Sequence, residues 1–359
     1  MANSTYKWLF LWLVLFSSSF FAQEVKPKPE EDTLPKQQKL YNQACKLIDS
    51  AKYKDALPLL KKAIKLKPDY WQALNKSAYA KIQLKEYKDA EKDLTKSELI
   101  LPQNFETLKL KGINFFLNNK FKESKGAIDT AVSIAVDDKI EDAELFYYQA
   151  QLMYKGKSYK SALGACDNAT EINKKYLEVI LLKAEIHFAI KDYNYAIKEL
   201  NEAIKLMKPE KPDYNAYKLR AKSKFEVKDF KGAITDWTVY LDGNPGEEDA
   251  LVARAANKIN VNDNSGAIVD LDEAIKKNNK NPVSYCYRGV AKGGNKNNTE
   301  ALKDLDYAIK LKFDYGAAYV NRAAIKMASK DKHGACDDLR KADGLGDELA
   351  LKLSEQYCK

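Results

Sequence analysis

The residues of this chain that carry the most chemistry recur at one spacing. Asp270 sits in "GAIVDLDEAI" (266–275) and Asp304 in "EALKDLDYAI" (300–309), each amid the apolar residues of a helical pattern. Sixteen residues before each stands an arginine. Arg220 precedes Asp236, Arg254 precedes Asp270, Arg288 precedes Asp304 and Arg322 precedes Asp338. A carboxylate beside a guanidinium is either part of a reactive site or half of a forked ion pair. The rest of the reactive inventory is thin. Asp270 and Asp272 are paired carboxylates, read as helix-surface groups with no pocket around them. His187 falls on the core-facing side of a helix and His333 in a turn, and neither has a second candidate ligand at metal-binding spacing. The stretch "GGNKNN" (293–298) joins two helices and lacks the Lys-Ser/Thr of a phosphate loop. No catalytic residue, metal or cofactor is assigned, and enzyme chemistry is not expected.

The Arg–Asp spacing makes sense when it is compared along the chain. Four of the five arginines occupy the same slot, and in one repeat the two slots hold Lys183 and Glu199, again opposite charges. Where the acid is missing, at Leu59, Ala127 and Ala165, the partner slot holds Gln43, Lys111 or Gln149; Ser77 with Asp93 is the exception. The two slots flank a turn at similar distances, so antiparallel helices bring them to one height, where an arginine can grip a carboxylate at two points. This covariation points to structural pairing. Pairing within a repeat and pairing between neighbours both stay open, because each Asp also precedes the next Arg by eighteen residues.

The elements that position these pairs recur every thirty-four residues or so. Small residues mark the first helix of each repeat at Ala44, Ala78, Gly112, Ala150, Ala184, Ala221, Ala255, Gly289 and Ala323. Twelve residues on stand Ala56, Ala90, Ser124, Ala162, Ala196, Ala233, Ala267, Ala301 and Ala335. A third series, from Ala63 to Ala342, departs only at Ser97 and at the large Tyr240. Helices approach closely only where side chains are small. Turn segments with an aromatic lie between, as in "KYKDA" (52–56) and "DFKGA" (229–233), and a proline closes several repeats, at Pro68, Pro102 and Pro245. These features resemble the tetratricopeptide repeat. The resemblance implies an all-α, right-handed superhelical solenoid of about nine helix-turn-helix repeats over residues 37–346, with a C-terminal capping helix at 347–359. Two longer spacings, at Asp137–Asp142 and Lys208–Asp213, fall between repeats.

Composition agrees with a helical protein: 22 Tyr and abundant Lys stand against only 15 Gly and 10 Pro in 359 residues. The net charge of +9 arises from 60 basic residues interspersed among 51 acidic ones, with no basic arm, so nucleic acid is not an expected partner. Lys7 followed by "WLFLWLVLF" (8–16) and a small-residue exit has the layout of a secretory signal, assigned to residues 1–22. Cleavage after Ala22, cleavage after Ser19 and an uncleaved anchor all stay open. The apolar run is short for a membrane span, so the mature chain is expected to have none. Residues 23–36 are Pro-rich and charged, an extended linker. Export to the periplasm or cell envelope is expected.

With no reactive centre, function is expected on the groove lined by the first helices. The inward positions are Tyr41, Tyr79, Lys109, Phe116, Tyr147, Tyr154, Phe188, Lys218, Lys222 and Phe225. Aromatics interleaved with lysine suit an extended protein or peptide partner with apolar and acidic side chains. The chain is therefore expected to be a non-enzymatic interaction scaffold. The alternative is an envelope accessory protein that binds glycan or peptidoglycan and assists an enzyme. In an oxidising compartment the five cysteines matter. Cys45, Cys166 and Cys286 lie in distant repeats, beyond the ~7 Å Cα separation a disulfide tolerates. Cys336 and Cys358 flank the turn before the capping helix at similar distances, and a bridge between them is expected, against an alternative of two buried thiols.

Overall fold

The computed structural model describes residues 34–358. The expected signal (1–22) and most of the linker (23–33) lie outside them. Every element is a helix: among the described residues there are nineteen helices and no strand. The chain divides into two compact units, one ending at Ile100 and one beginning at Leu101.

The first unit holds two antiparallel pairs, α1 (Lys36–Asp49) with α2 (Tyr53–Leu66) and α3 (Trp71–Gln83) with α4 (Tyr87–Ile100). Helix α1 begins at the last residue of the expected linker, because Pro35 is extended and fits the position just before a first turn. The core is built from Ala44, Ile48, Ala56, Leu60, Tyr70 and Ala73, contributed by α1, α2 and the start of α3.

The second unit holds seven pairs. They are α5 (Phe105–Leu117) with α6 (Phe121–Asp137), α7 (Ala143–Lys155) with α8 (Tyr159–Ile172), and α9 (Leu177–Ala189) with α10 (Tyr193–Leu206). Next come α11 (Tyr214–Glu226) with α12 (Phe230–Gly243), and α13 (Glu248–Asn260) with α14 (Asn264–Lys277). The last two are α15 (Pro282–Gly294) with α16 (Asn298–Leu311), and α17 (Gly316–Ala328) with α18 (Lys332–Asp343). A nineteenth helix, α19 (Glu348–Tyr357), packs on α18. Each second helix also touches the first helix of the next pair, so the core runs from pair to pair: Trp237 and Leu241 of α12, Leu251 of α13 and Leu271 of α14 share one cluster.

Small residues make the pairing possible. Ala221, Ala233, Ala255, Ala267, Ala301 and Ala308 are fully buried where paired helices touch. At Gly289 a Cβ would stand 2.8 Å from Leu305 and 3.1 Å from the Ala301 carbonyl, so α15 and α16 come as close as backbone allows. The turn inside every pair contains one residue with positive φ, from Ala51 to Lys330, and none of the nine is a glycine. At Lys296 (φ 63°) the turn is closed by backbone N–H groups of Lys296 and Asn297 donating to Gly293 and Lys292 at 2.8 and 2.9 Å. Acidic or amide caps then start the later helices. Asp229, Asp263 and Asp331 accept from backbone N–H groups three residues on, satisfying donors with no helical partner. Among the described residues no helix is long and apolar enough to cross a membrane.

Candidate functional site

The four Asp residues at the recurring slot are buried at 1–6% exposure, and each is filled from two sides. Arg288 donates from Nε and Nη2 to the two oxygens of Asp304 at 2.8 and 2.7 Å, and Lys292 adds a third contact at 2.7 Å. Arg220 on Asp236, Arg254 on Asp270 and Arg322 on Asp338 repeat the fork, with Lys224, Lys258 and Lys326 as the third partner. The remaining guanidinium nitrogen reaches back to the preceding pair. Arg288 Nη1 donates to Asp272 and Arg322 Nη1 to Asp306, while Arg220 and Arg254 use Asn201 and Thr238. The contacts therefore run both within and between repeats.

Tyr217, Tyr285 and Tyr319, three residues before their arginines, lie under the guanidinium groups at 5.3 Å. The hydrogen bonds from Arg288 to Asp304 and from Arg322 to Asp338 raise the already high pKa of both arginines, against the opposing effect of burial. A carboxylate with both oxygens taken by fixed cations is not placed to accept a substrate proton. Asp270 is accordingly not the helix-surface group its sequence position suggests; it is a buried strut.

The earlier repeats use weaker versions. Ser77 and Lys81 donate to Asp93 at 2.6 and 2.5 Å, and Lys183 stands 3.6 Å from Glu199 and 3.1 Å from Asp167. The lysine four residues after the Arg slot is the member that sequence reading missed. In a chain so rich in lysine, it carried no contrast.

The groove candidates divide into three groups. The first is aromatic packing across the turns: Phe116 against Phe121, Tyr154 against Tyr159, Phe188 against Tyr193 and Phe225 against Phe230, with ring centres 5.5–6.0 Å apart. Tyr79 packs edge-on against Tyr53 in the first unit, and Tyr41 against Tyr70. Tyr147 meets Tyr148 and Tyr176 and accepts from Gln151 at 2.8 Å; burial raises its pKa. The second group is lysines already neutralised, which do not offer the free charge expected of them. Lys109 binds Asp142 at 2.7 Å and Glu144 at 3.3 Å. Lys218 donates to Glu247 at 2.8 Å and to the Tyr240 hydroxyl at 3.1 Å, over whose ring it also sits. Burial opposes the Lys218 charge, but these hydrogen bonds outweigh it and raise the pKa, while that from Lys218 lowers the pKa of Glu247.

The third group is brought together. Phe188, Lys222 and Phe225 line one open cavity of about 380 Å³, with Trp237 of α12, Val252, Ala253, Ala256 and Asn257 of α13, and Val283 and Tyr287 of α15. The side chains of Lys222, Glu226 and Asp249 stand exposed around it. The cavity exists because α13 presents small side chains, Ala253 and Ala256, between the aromatics of α9 and α11 and those of α15. That run of small residues was the available signal, and Trp237 and Asn257 had none. The remaining chemistry stays apart from the cavity. His187 stacks on Tyr195 with ring centres 5.2 Å apart, and His333 is exposed with Nδ1 3.3 Å from Asp337. No cluster of three or more His, Cys, Asp or Glu able to hold a metal occurs among the described residues. Cys336 and Cys358 form a disulfide with Cα atoms 5.7 Å apart, and no disulfide includes Cys45, Cys166 or Cys286. Burial pushes the Cys166 thiol up to about 12.

Residues 47–111 match the family described as tetratricopeptide repeat. Among solved structures, pilF of Pseudomonas aeruginosa superposes with a TM-score of 0.53 at 15% identity, covering 60% of this chain and 95% of its own. PilW, described as a widely conserved type IV pilus biogenesis factor, does so with a TM-score of 0.52 at 14% identity, covering 58% and 94%. At such identities the likeness is one of fold. No curated protein sequence matches this chain.

Proposed function

From a chain with the tetratricopeptide-repeat fold, we propose a non-enzymatic protein-binding scaffold of the cell envelope that holds a peptide or protein segment on its first helices. The observation that carries this reading is the cavity between α9, α11, α13 and α15. It is lined by aromatic and aliphatic side chains, and Phe225 is left 38% exposed beside it. Concave apolar sites with a few polar groups are where ligands bind. Every buried carboxylate of the Arg–Asp array, in contrast, is satisfied internally, which leaves that array with a scaffold role.

Export is supported by the apolar run after Lys7 and by the Cys336–Cys358 disulfide, since such bonds persist in oxidising compartments. Residues 1–22 then form the signal, 37–346 the nine repeats and 347–359 the cap. Two structural neighbours, pilF and the pilus biogenesis factor PilW, fit such a setting without assigning a partner. Immobilised residues 23–359 and their Phe225→Ala variant are to be exposed to envelope extract. One protein retained by the first and released by the second is the expected result. Retention on glycan beads with no protein captured would replace this reading with the glycan-binding one.

A further inference from the structure

Asn257 belongs to the cavity wall and is 1% exposed. Its Nδ2 donates to the Ala253 carbonyl at 2.7 Å, which fixes which way the amide faces. Its Oδ1 has no hydrogen-bond donor. A buried acceptor without a donor is costly, and most such groups in folded proteins are satisfied. Asn257 shares the cavity lining with apolar residues, Val252 on its own helix and Trp237 of α12. An occupant that recovers the loss must place an N–H donor at Oδ1 and fill the remaining space with hydrocarbon. The surrounding charges, Lys222 against Glu226 and Asp249, are of mixed sign and select no net charge.

Resting on the protein-binding reading above, we infer that this cavity is a specificity pocket for one bulky apolar residue of an extended peptide, whose backbone N–H is donated to Asn257 Oδ1. The apolar side chain fills the space over Trp237, and the amide next to it takes the orphan acceptor. This replaces the expectation of an acidic partner with that of a neutral, aromatic or aliphatic anchor, since Lys109 and Lys218 are spent on internal acids.

A matched pair of small probes tests the pocket without the partner. N-acetylphenylalanine dimethylamide carries a single N–H beside its ring; O-acetylphenyllactic acid dimethylamide has the same shape with an ester oxygen there. With the tryptophans replaced by 5-fluorotryptophan, the fluorine resonance of Trp237 reports occupancy. The amide should shift it saturably and bind about five- to tenfold more tightly than the ester, the worth of one neutral hydrogen bond. In Asn257→Leu that preference should vanish while the thermal melt holds or rises. No saturable shift, or equal binding of amide and ester to the unaltered protein, overturns the inference, and that comparison decides even if the variant does not fold. Ala256→Phe, which fills the cavity, separates the two levels of argument: a captured partner that this variant still binds leaves protein binding standing and removes the pocket from it.

Discussion

At the scale of single residues, the buried Asp is the group on which stability turns. Asp304 takes two hydrogen bonds from Arg288 and a third contact from Lys292. Arg288→Ala removes two of three and leaves a buried carboxylate underpaired, which should cost about 1–3 kcal/mol in chemical denaturation. Replacing both Arg288 and Asp304 by leucine should cost less, because no buried carboxylate is then stranded and the partly exposed Lys292 can turn to water. Equal losses would mean the pair is worth little beyond its packing. The Lys218–Glu247 contact makes a separate prediction in pH. The Glu247 pKa is lowered, first by its hydrogen bond from Lys218 and then by that from Tyr240. Its contribution is therefore fully present above the ordinary carboxyl pKa of about 4.3 and fades as pH falls through the depressed value. Glu247→Gln should lower the melting temperature at neutral pH and converge on the unaltered protein in acid. A gap that persists at low pH would assign the effect to packing instead. Spacing alone made the Arg–Asp partners legible, because arginine is rare here. Lysine is not, so the Lys292 and Lys218 contacts were hidden in a uniform background.

At the scale of elements, the period of thirty-four exposed the helix pairs because close helix contact demands small side chains at fixed intervals. The cavity was less legible for the same reason. It depends on what four successive first helices and one second helix leave unfilled, and no single repeat carries that information. The C-terminal element shows how a covalent link substitutes for a missing neighbour. Helix α19 packs chiefly on α18 and contributes only Ala350 as a fully buried side chain, while Leu349 and Leu351 are half exposed. The disulfide joins Cys358, just past its last turn, to Cys336 in α18 across 22 residues. In the chain-entropy view a loop of that size is worth roughly 3 kcal/mol. Cys336→Ser with Cys358→Ser should therefore raise amide exchange within residues 348–357 strongly and leave α11–α15 unchanged. Uniform loss of protection would show that the bond holds more than the cap.

At the scale of the molecule, the effect of a core substitution should decay with distance along the chain rather than act everywhere at once. Within each unit a helix pair packs chiefly on its sequence neighbours, so each repeat's stability is its own plus that of the adjoining interfaces. Leu60 is fully buried among Ala44, Ala56, Tyr70 and Ala73, and Leu60→Ala should cost about 2–5 kcal/mol locally through lost burial and a cavity. In a globular domain with one shared core, that loss would lower the protection of every core amide together. Here it should accelerate exchange in α1, α2 and α3 and leave α13 to α18, where Leu271 and Leu305 hold separate clusters, at their original rates. Hydrogen exchange resolved by peptide reads this directly: a fall in protection of equal size at both ends of the chain would mean that the repeats unfold as one cooperative body. The same locality is what lets the groove vary from repeat to repeat. Aromatic side chains can stand on α9 and α11 and small ones on α13 because no common core has to be refilled when one pair changes.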